Sequence, residues 1–230
     1  MGILSFFLDI FFPQECVGCG QAGTWFCEEC FKKVILVNSP TCPLCQQITL
    51  QGQFCSRCRP KTSLTGIMVA AYYETPLKEA IHTYKYEYVQ DLAKPLANLL
   101  INHLQKVSLP PGSGHLLVAP VPLHHSRLRQ RGFNQAALLA QEVAKTFGLK
   151  YQEDILSRVR KTRPQIELSQ KARQENVKGA FSCLRPELVQ GKNILLVDDV
   201  CTTGATLNEC ASELRKAQAR QIWGLVLARQ

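Results

Sequence analysis

No stretch of the 230-residue sequence approaches the roughly 20 consecutive apolar residues that a membrane-spanning helix requires. The opening MGILSFFLDIFFP is apolar, but it carries no basic n-region and no small-residue cleavage site, which argues against a secretory signal. Phe6 stands where a myristoylation motif wants Ser or Thr. Apolar residues are not scarce: they make up 46% of the chain against 20% charged, which excludes a disordered or fibrous protein. The expectation is a soluble chain in a reducing compartment, the cytoplasm, built as one domain of ordinary size plus a small appendage.

Eleven cysteines are present, and eight of them fall in the first 58 residues: Cys16, Cys19, Cys27, Cys30, Cys42, Cys45, Cys55 and Cys58. They form a repeat of C-x2-C, a short insert, then F-C-x2-C, with Phe26 and Phe54 just before the second pair of each unit. An insert of seven or nine residues lets a short β-ribbon fold back and bring two thiol pairs to one ion. Four thiolates then make a closed, tetrahedral structural zinc site. In a reducing compartment this pattern points to metal rather than disulfides. Sequential pairing, one zinc per unit, is the first expectation and cross-braced pairing the alternative. So small a segment buries little surface, so zinc supplies most of its folding energy. Residues 1–12 place Ile3, Phe6, Phe7, Ile10 and Phe11 at helical spacing, which predicts a helix packed on the ribbons or on the next domain.

The net charge of +9 is uneven. Residues 1–60 balance at zero, whereas residues 111–230 hold eighteen Lys/Arg against ten Asp/Glu. That half of the chain calls for an anionic ligand: phosphate, pyrophosphate or nucleic acid.

Residues 60–65 read as a linker. Strands are predicted over 66–73, 115–121, 192–197 and 221–228, and helices over 76–106, 133–147 and 205–216. Strands of near-continuous apolar character alternating with helices give an α/β fold with a largely parallel sheet.

The sharpest signal is Ile194-Leu-Leu-Val197 running into Asp198-Asp199-Val200-Cys201-Thr202-Thr203-Gly204-Ala205-Thr206. An apolar strand delivers a loop to the carboxyl edge of the sheet, where α/β proteins bind ligands. Gly204 is free to take φ > 0. Backbone N–H groups at the start of the next helix, with the Thr hydroxyls, can cradle a phosphate. The carboxylates can accept hydrogen bonds from vicinal sugar hydroxyls and orient waters around Mg²⁺. A second block holds Arg127, Arg129 and Arg131, which share one face if the segment is extended; His124 and His125 beside them read as loop residues or acid/base groups. A third holds Arg158, Arg160, Lys161 and Arg163 before Pro164, and continues to Arg173. Four cations in six residues predict an exposed, mobile segment suited to pyrophosphate or to a nucleic-acid backbone. Tyr84, Lys85, Tyr86 and Tyr88 form an aromatic and basic patch that reads as a helix surface packed on a neighbour or as a stacking platform for single strands.

The Asp198–Thr206 string resembles the phosphoribosyl pyrophosphate (PRPP) signature of type I phosphoribosyltransferases, and residues 158–173 resemble a stretch of amidophosphoribosyltransferases. The double C-x2-C module, R-G-F-N-Q, T-x-P-Q-x-x-L, N-V-K-G-A-F and L-V-D-D-V-x-T-T-G-A-T in this order resemble the ComF family of bacterial competence proteins over nearly the whole chain. The resemblance implies a double zinc ribbon (1–60, with the apolar N-terminal helix) and a phosphoribosyltransferase-like domain (61–230). It implies that Asp198 and Asp199 hold ribose hydroxyls, that Thr202, Thr203, Gly204, Ala205 and Thr206 hold the 5′-phosphate, and that the Arg-rich blocks hold pyrophosphate. Three functions stay open at this point. The first is Mg²⁺-dependent phosphoribosyl transfer to an unknown acceptor. The second is an adaptor that handles single-stranded DNA and contacts competence helicase or uptake proteins at the inner membrane. The third is a PRPP sensor without catalysis. Members of this fold often form homodimers.

Overall fold

Seven strands run in chain order as β1 (Gly66–Tyr72), β2 (Leu116–Pro120), β3 (Lys150–Tyr151), β4 (Leu156–Arg158), β5 (Phe181–Cys183), β6 (Asn193–Cys201) and β7 (Gln221–Arg229). The helices are α1 (Glu28–Lys32), α2 (Leu77–Tyr86), α3 (Ala93–Val107), α4 (His125–Arg131), α5 (Gln135–Phe147), α6 (Gln170–Val177), α7 (Pro186–Val189) and α8 (Ala205–Lys216). The computed structural model describes residues 14–110, 116–162 and 170–229, and of Gln170, Lys171, Arg173 and Gln174 the backbone alone. The helix expected over residues 1–12 and the positions of Arg163 and Pro164 lie outside the described residues, as does the side chain of Arg173.

Five strands form one parallel sheet in the order β1-β7-β6-β2-β3. β4 and β5 pair antiparallel beside it. The apolar runs dictate this: Ile194 to Val197 and Ile222 to Ala228 are buried throughout, as strands covered on both faces must be. On one face Leu77, Ile81 and Tyr84 of α2, Leu96 and Leu100 of α3 and Leu139 and Val143 of α5 pack on Met68, Leu195, Val197 and Leu225. On the other, Leu207, Ala211 and Leu214 of α8 and Phe181 of β5 pack on Ile67, Ile194, Leu196 and Val226.

Three expectations change in detail. The helix expected over 76–106 is two helices, because Tyr88 takes a left-handed conformation (φ +63°) and a 3-10 turn at Gln90–Leu92 intervenes. Pro95 lacks an N–H to donate and sits in the first turn of α3, where none is needed. Residues 60–65 are docked rather than a free linker: Thr62 Oγ1 and Ser63 N donate to Asn208 Oδ1 at 2.7 and 2.9 Å, and Leu64 is buried. β6 continues through Cys201, because β7 pairs with it as far as Arg229. The acidic pair therefore lies on the strand, not in the loop after it.

The two cysteine-rich units straddle β1. The first buries Cys16, Phe26, Cys30 and Val34 with the α2/α3 layer. The second buries Cys42, Phe54 and Cys58 with the α8 layer. A residue between the units and one within the second lie along the open edge of β1, where Leu36 bridges Ala71 and Gln53 bridges Gly66. An edge covered in this way offers no free template for another strand.

Candidate functional site

Each cysteine unit gathers its own four thiols. Cys16, Cys19, Cys27 and Cys30 form one group and Cys42, Cys45, Cys55 and Cys58 the other, with the sulfurs of each group within 4.8 Å of one another. A tetrahedron of Zn–S bonds of ~2.3 Å has edges of ~3.8 Å. The Cys19–Cys27 and Cys45–Cys55 sulfurs stand 3.6 Å apart, so the residues fit the ion. Backbone N–H groups of Cys27 and Cys30 donate to the sulfurs of Cys16 and Cys27 at 3.3 and 3.4 Å. Pairing is sequential, and the two clusters are consistent with two zinc sites.

The acidic pair is set by β6. Alternation along a strand sends Asp198 and Asp199 to opposite faces. Asp199 turns to the α2 layer, where Lys85 Nζ lies 2.7 Å from its Oδ1. Asp198 turns to the α8 layer. Burial, then the charge of Asp199, pushes Asp198 up to about 7, against the pull of Lys85 and Arg158. Burial opposes the charge on Lys85, but Asp199 more than offsets this and raises its pKa. Sequence reading missed Lys85 as a site residue. Its signal was a lysine four residues after Ile81 on the buried stripe of α2.

Thr202, Thr203, Gly204, Ala205 and Thr206 follow, half-buried, and lead into α8. Gly204 has φ +78°, and the N–H of Ala205 donates to Thr203 Oγ1 at 3.3 Å. A 410 Å³ cavity opens beside Thr203, Gly204 and Ala205, walled by Pro43, Leu44 and Phe54 of the second cysteine unit and by Glu175, Val177 and Lys178. A smaller one, 130 Å³, lies on the other side of Pro43, between Thr41, Tyr72, Cys201, Thr203 and Arg229. Arg229, also missed, donates to the Pro43 carbonyl at 2.7 Å and ties that unit to the end of β7.

The arginine blocks divide. Residues 125–131 are helical, capped by the His124 ring on Ser126 N and by left-handed Gly132, so Arg127, Arg129 and Arg131 do not share a face. Arg127 is half-buried, and burial, then Arg131, lowers its pKa. Arg129 is exposed. Arg131 lies over the Tyr86 ring and donates to Gln135. His124 is the cap of a helix rather than a plain loop residue, and His125, the first residue of that helix, is exposed and stacks on it. Arg158 is not a mobile surface residue: it ends β4, bridges to His124, lies over Phe181 and bonds Thr162, while its Nε is buried without a partner among the described residues. Arg160 is exposed and donates to the carbonyls of Asn176 and Lys178; Lys161 is exposed. Of the tyrosine patch, Tyr84 is buried with its hydroxyl on the Gln135 carbonyl, so Tyr86 and Tyr88 alone face outward. Lys85, Arg127 and Arg158 thus weigh electrostatically on the two carboxylates, a site with an excess of positive charge.

Two family models match: the phosphoribosyl transferase domain over residues 134–230 and the double zinc ribbon domain over residues 7–63. The chain is 32% identical to competence protein F of Haemophilus influenzae, across 95% of this chain and 99% of that protein. It is 32% identical to the DNA utilization protein YhgH of Escherichia coli K12, across 88% of this chain and 91% of that one. Competence protein ComFC of Bacillus subtilis is 26% identical across 88% and 83%.

Proposed function

Because the chain belongs to the ComF family of competence proteins, with a phosphoribosyltransferase domain and a double zinc ribbon, we propose that it binds PRPP at the carboxyl end of β6 and transfers its ribose 5-phosphate group to an acceptor in the service of DNA uptake. The division into residues 1–60 and 61–230 belongs to the same reading. One observation carries it: two carboxylates at the end of a central strand, attended by three cations, run directly into a left-handed glycine that opens a helix.

Each group has a task. Asp198 and Asp199 accept hydrogen bonds from the ribose hydroxyls. The loop from Thr202 to Thr206, at the positive end of α8, takes the 5′-phosphate. Arg127 and Arg158 face the pyrophosphate, whose departing charge is the main demand on the transition state. Their partly buried guanidiniums, with no carboxylate ion pair among the described residues, are available to it. Asp198 and Asp199 would orient the waters of an Mg²⁺ ion brought in with PRPP, and that ion would supply charge neutralisation for the pyrophosphate. Arg129, Arg160 and Lys161 are exposed and add long-range attraction for the anion.

Calorimetric titration of PRPP with Mg²⁺ into the zinc-loaded chain tests this. Saturable binding that is lost in Asp198→Asn/Asp199→Asn is the expected result. No binding in either protein removes the pocket from the argument and moves the search to single-stranded DNA.

A further inference from the structure

Lysine is costly to bury unless it is paired, yet α2 carries Lys85 inward to the end of β6. Its side chain is 19% exposed and that of Asp199 11%. A buried ion pair is poor evidence for a purely stabilising role, since two apolar groups of similar volume do as well or better. The hydrogen bonds around the acidic pair suggest a different purpose. Asp199 Oδ1 receives Lys85 Nζ at 2.7 Å and the N–H of Val200 at 2.6 Å. Asp198 Oδ1 receives the N–H of Asp199 at 2.9 Å. Among the described residues Oδ2 of each carboxylate has no hydrogen-bond partner. One oxygen of each acid is fixed by the protein, and one of each is open.

We propose that Lys85 is a positioning residue for a vicinal diol: it fixes the Asp199 carboxylate and supplies a resident positive charge, so that the two open oxygens accept the 2- and 3-hydroxyls of a ribose 5-phosphate without a metal ion between the acids. The proposal rests on the pocket reading of the preceding subsection and adds to it a source of selectivity for ribose over deoxyribose. Lys85 stays on Asp199 when the sugar arrives, because the oxygen it holds is not the one the sugar needs. A hydroxyl given to a charged acceptor is worth ~10-fold or more in affinity. That is the discrimination the pair can exert against a sugar lacking the 2-hydroxyl.

The test uses the full zinc-loaded chain. PRPP with Mg²⁺ is titrated first, as the check on the pocket. Ribose 5-phosphate and 2-deoxyribose 5-phosphate are then titrated in Mg²⁺-free buffer into the parent, Lys85→Met and Lys85→Arg, with thermal midpoints recorded for each. The parent is expected to prefer ribose 5-phosphate by ~10-fold or more. Lys85→Met should bring the ratio close to one while its affinity for the deoxy sugar stays near the parent's, since the phosphate contacts remain. Lys85→Arg should recover part of the preference. A parent that binds PRPP but shows no preference without Mg²⁺ overturns the role of Lys85 and leaves the pocket standing. So does a Lys85→Met chain that keeps the preference, or one that loses both sugars equally. A parent that does not bind PRPP overturns the pocket itself, and this proposal with it.

Discussion

Gly20 and Gly52 make a controlled experiment. Both have φ +76°, one in each cysteine-rich unit. A Cβ added to Gly20 meets nothing within 4 Å, whereas one added to Gly52 stands 2.2 Å from the Ile67 carbonyl oxygen in β1. The left-handed conformation costs an L residue ~1–2 kcal/mol, and stiffening the unfolded chain returns ~0.4–1 kcal/mol. Gly20→Ala should therefore lose about 1 kcal/mol. Gly52→Ala bears the same strain and must also lift the second unit off β1. Overpacking of this kind costs ~1–3 kcal/mol. The retreat also loosens the bond from Phe54 N to the Thr65 carbonyl (3.1 Å), worth ~1 kcal/mol. The difference between the variants should be about 3 kcal/mol, or ~6–12 °C in midpoint for a chain of this size. Thermal and urea unfolding of zinc-loaded protein measures it, with zinc counted by a chromogenic chelator to show that both variants keep their metal. Midpoints that agree within ~2 °C would refute the idea that the second unit is seated on β1 by this backbone contact.

Two further outcomes follow from the same geometry. Cys16→Ser and Cys27→Ser made together should lower the zinc content from two ions per chain to one, because both residues serve the same cluster and the clusters share no ligand; a loss of both ions from this pair of changes would mean that the pairing is crossed. His103 is buried (7% exposed), and burial, then Lys106, lowers its pKa to about 4. A group whose folded pKa lies below its unfolded value of ~6.5 costs stability as pH falls through that window. Stability should drop by on the order of 2–3 kcal/mol between pH 7 and pH 4 through this group, and His103→Gln should flatten that part of the profile in urea titrations at each pH.

Much of the architecture was legible because its determinants are local. The C-x2-C pairs carry their own insert lengths, the buried strands are near-continuous apolar runs, and Gly204 sits where the turn into α8 needs it. What escaped depends on partners distant in sequence. Lys85 reads as surface until Asp199 is placed beside it. The second cysteine unit reads as a tethered module until Arg229 reaches Pro43 and Asn208 reaches Thr62. The alternating arginines suggested an extended face, but the cap from His124 and the left-handed Gly132 enclose two turns of helix. Asp198 and Asp199 looked like the start of a loop because hydrophobicity ends at Val197, while hydrogen bonding to β7 carries the strand four residues further.

The placement of β7 between β1 and β6 has a consequence for biosynthesis. Within the sheet β1 pairs with β7 alone. It leaves the ribosome long before that partner, and at ~5–20 residues per second the intervening chain takes on the order of 10–30 s to make. For that interval the apolar segment GIMVAAY has no strand to join. The two cysteine units that flank it are already synthesised, and Leu36 and Gln53 bridge its outer edge in the finished molecule. A metal-organised N-terminus that can clasp β1 early would shield a nascent strand from other nascent chains. Zinc withheld during translation and restored afterwards should then give less native protein than zinc present throughout.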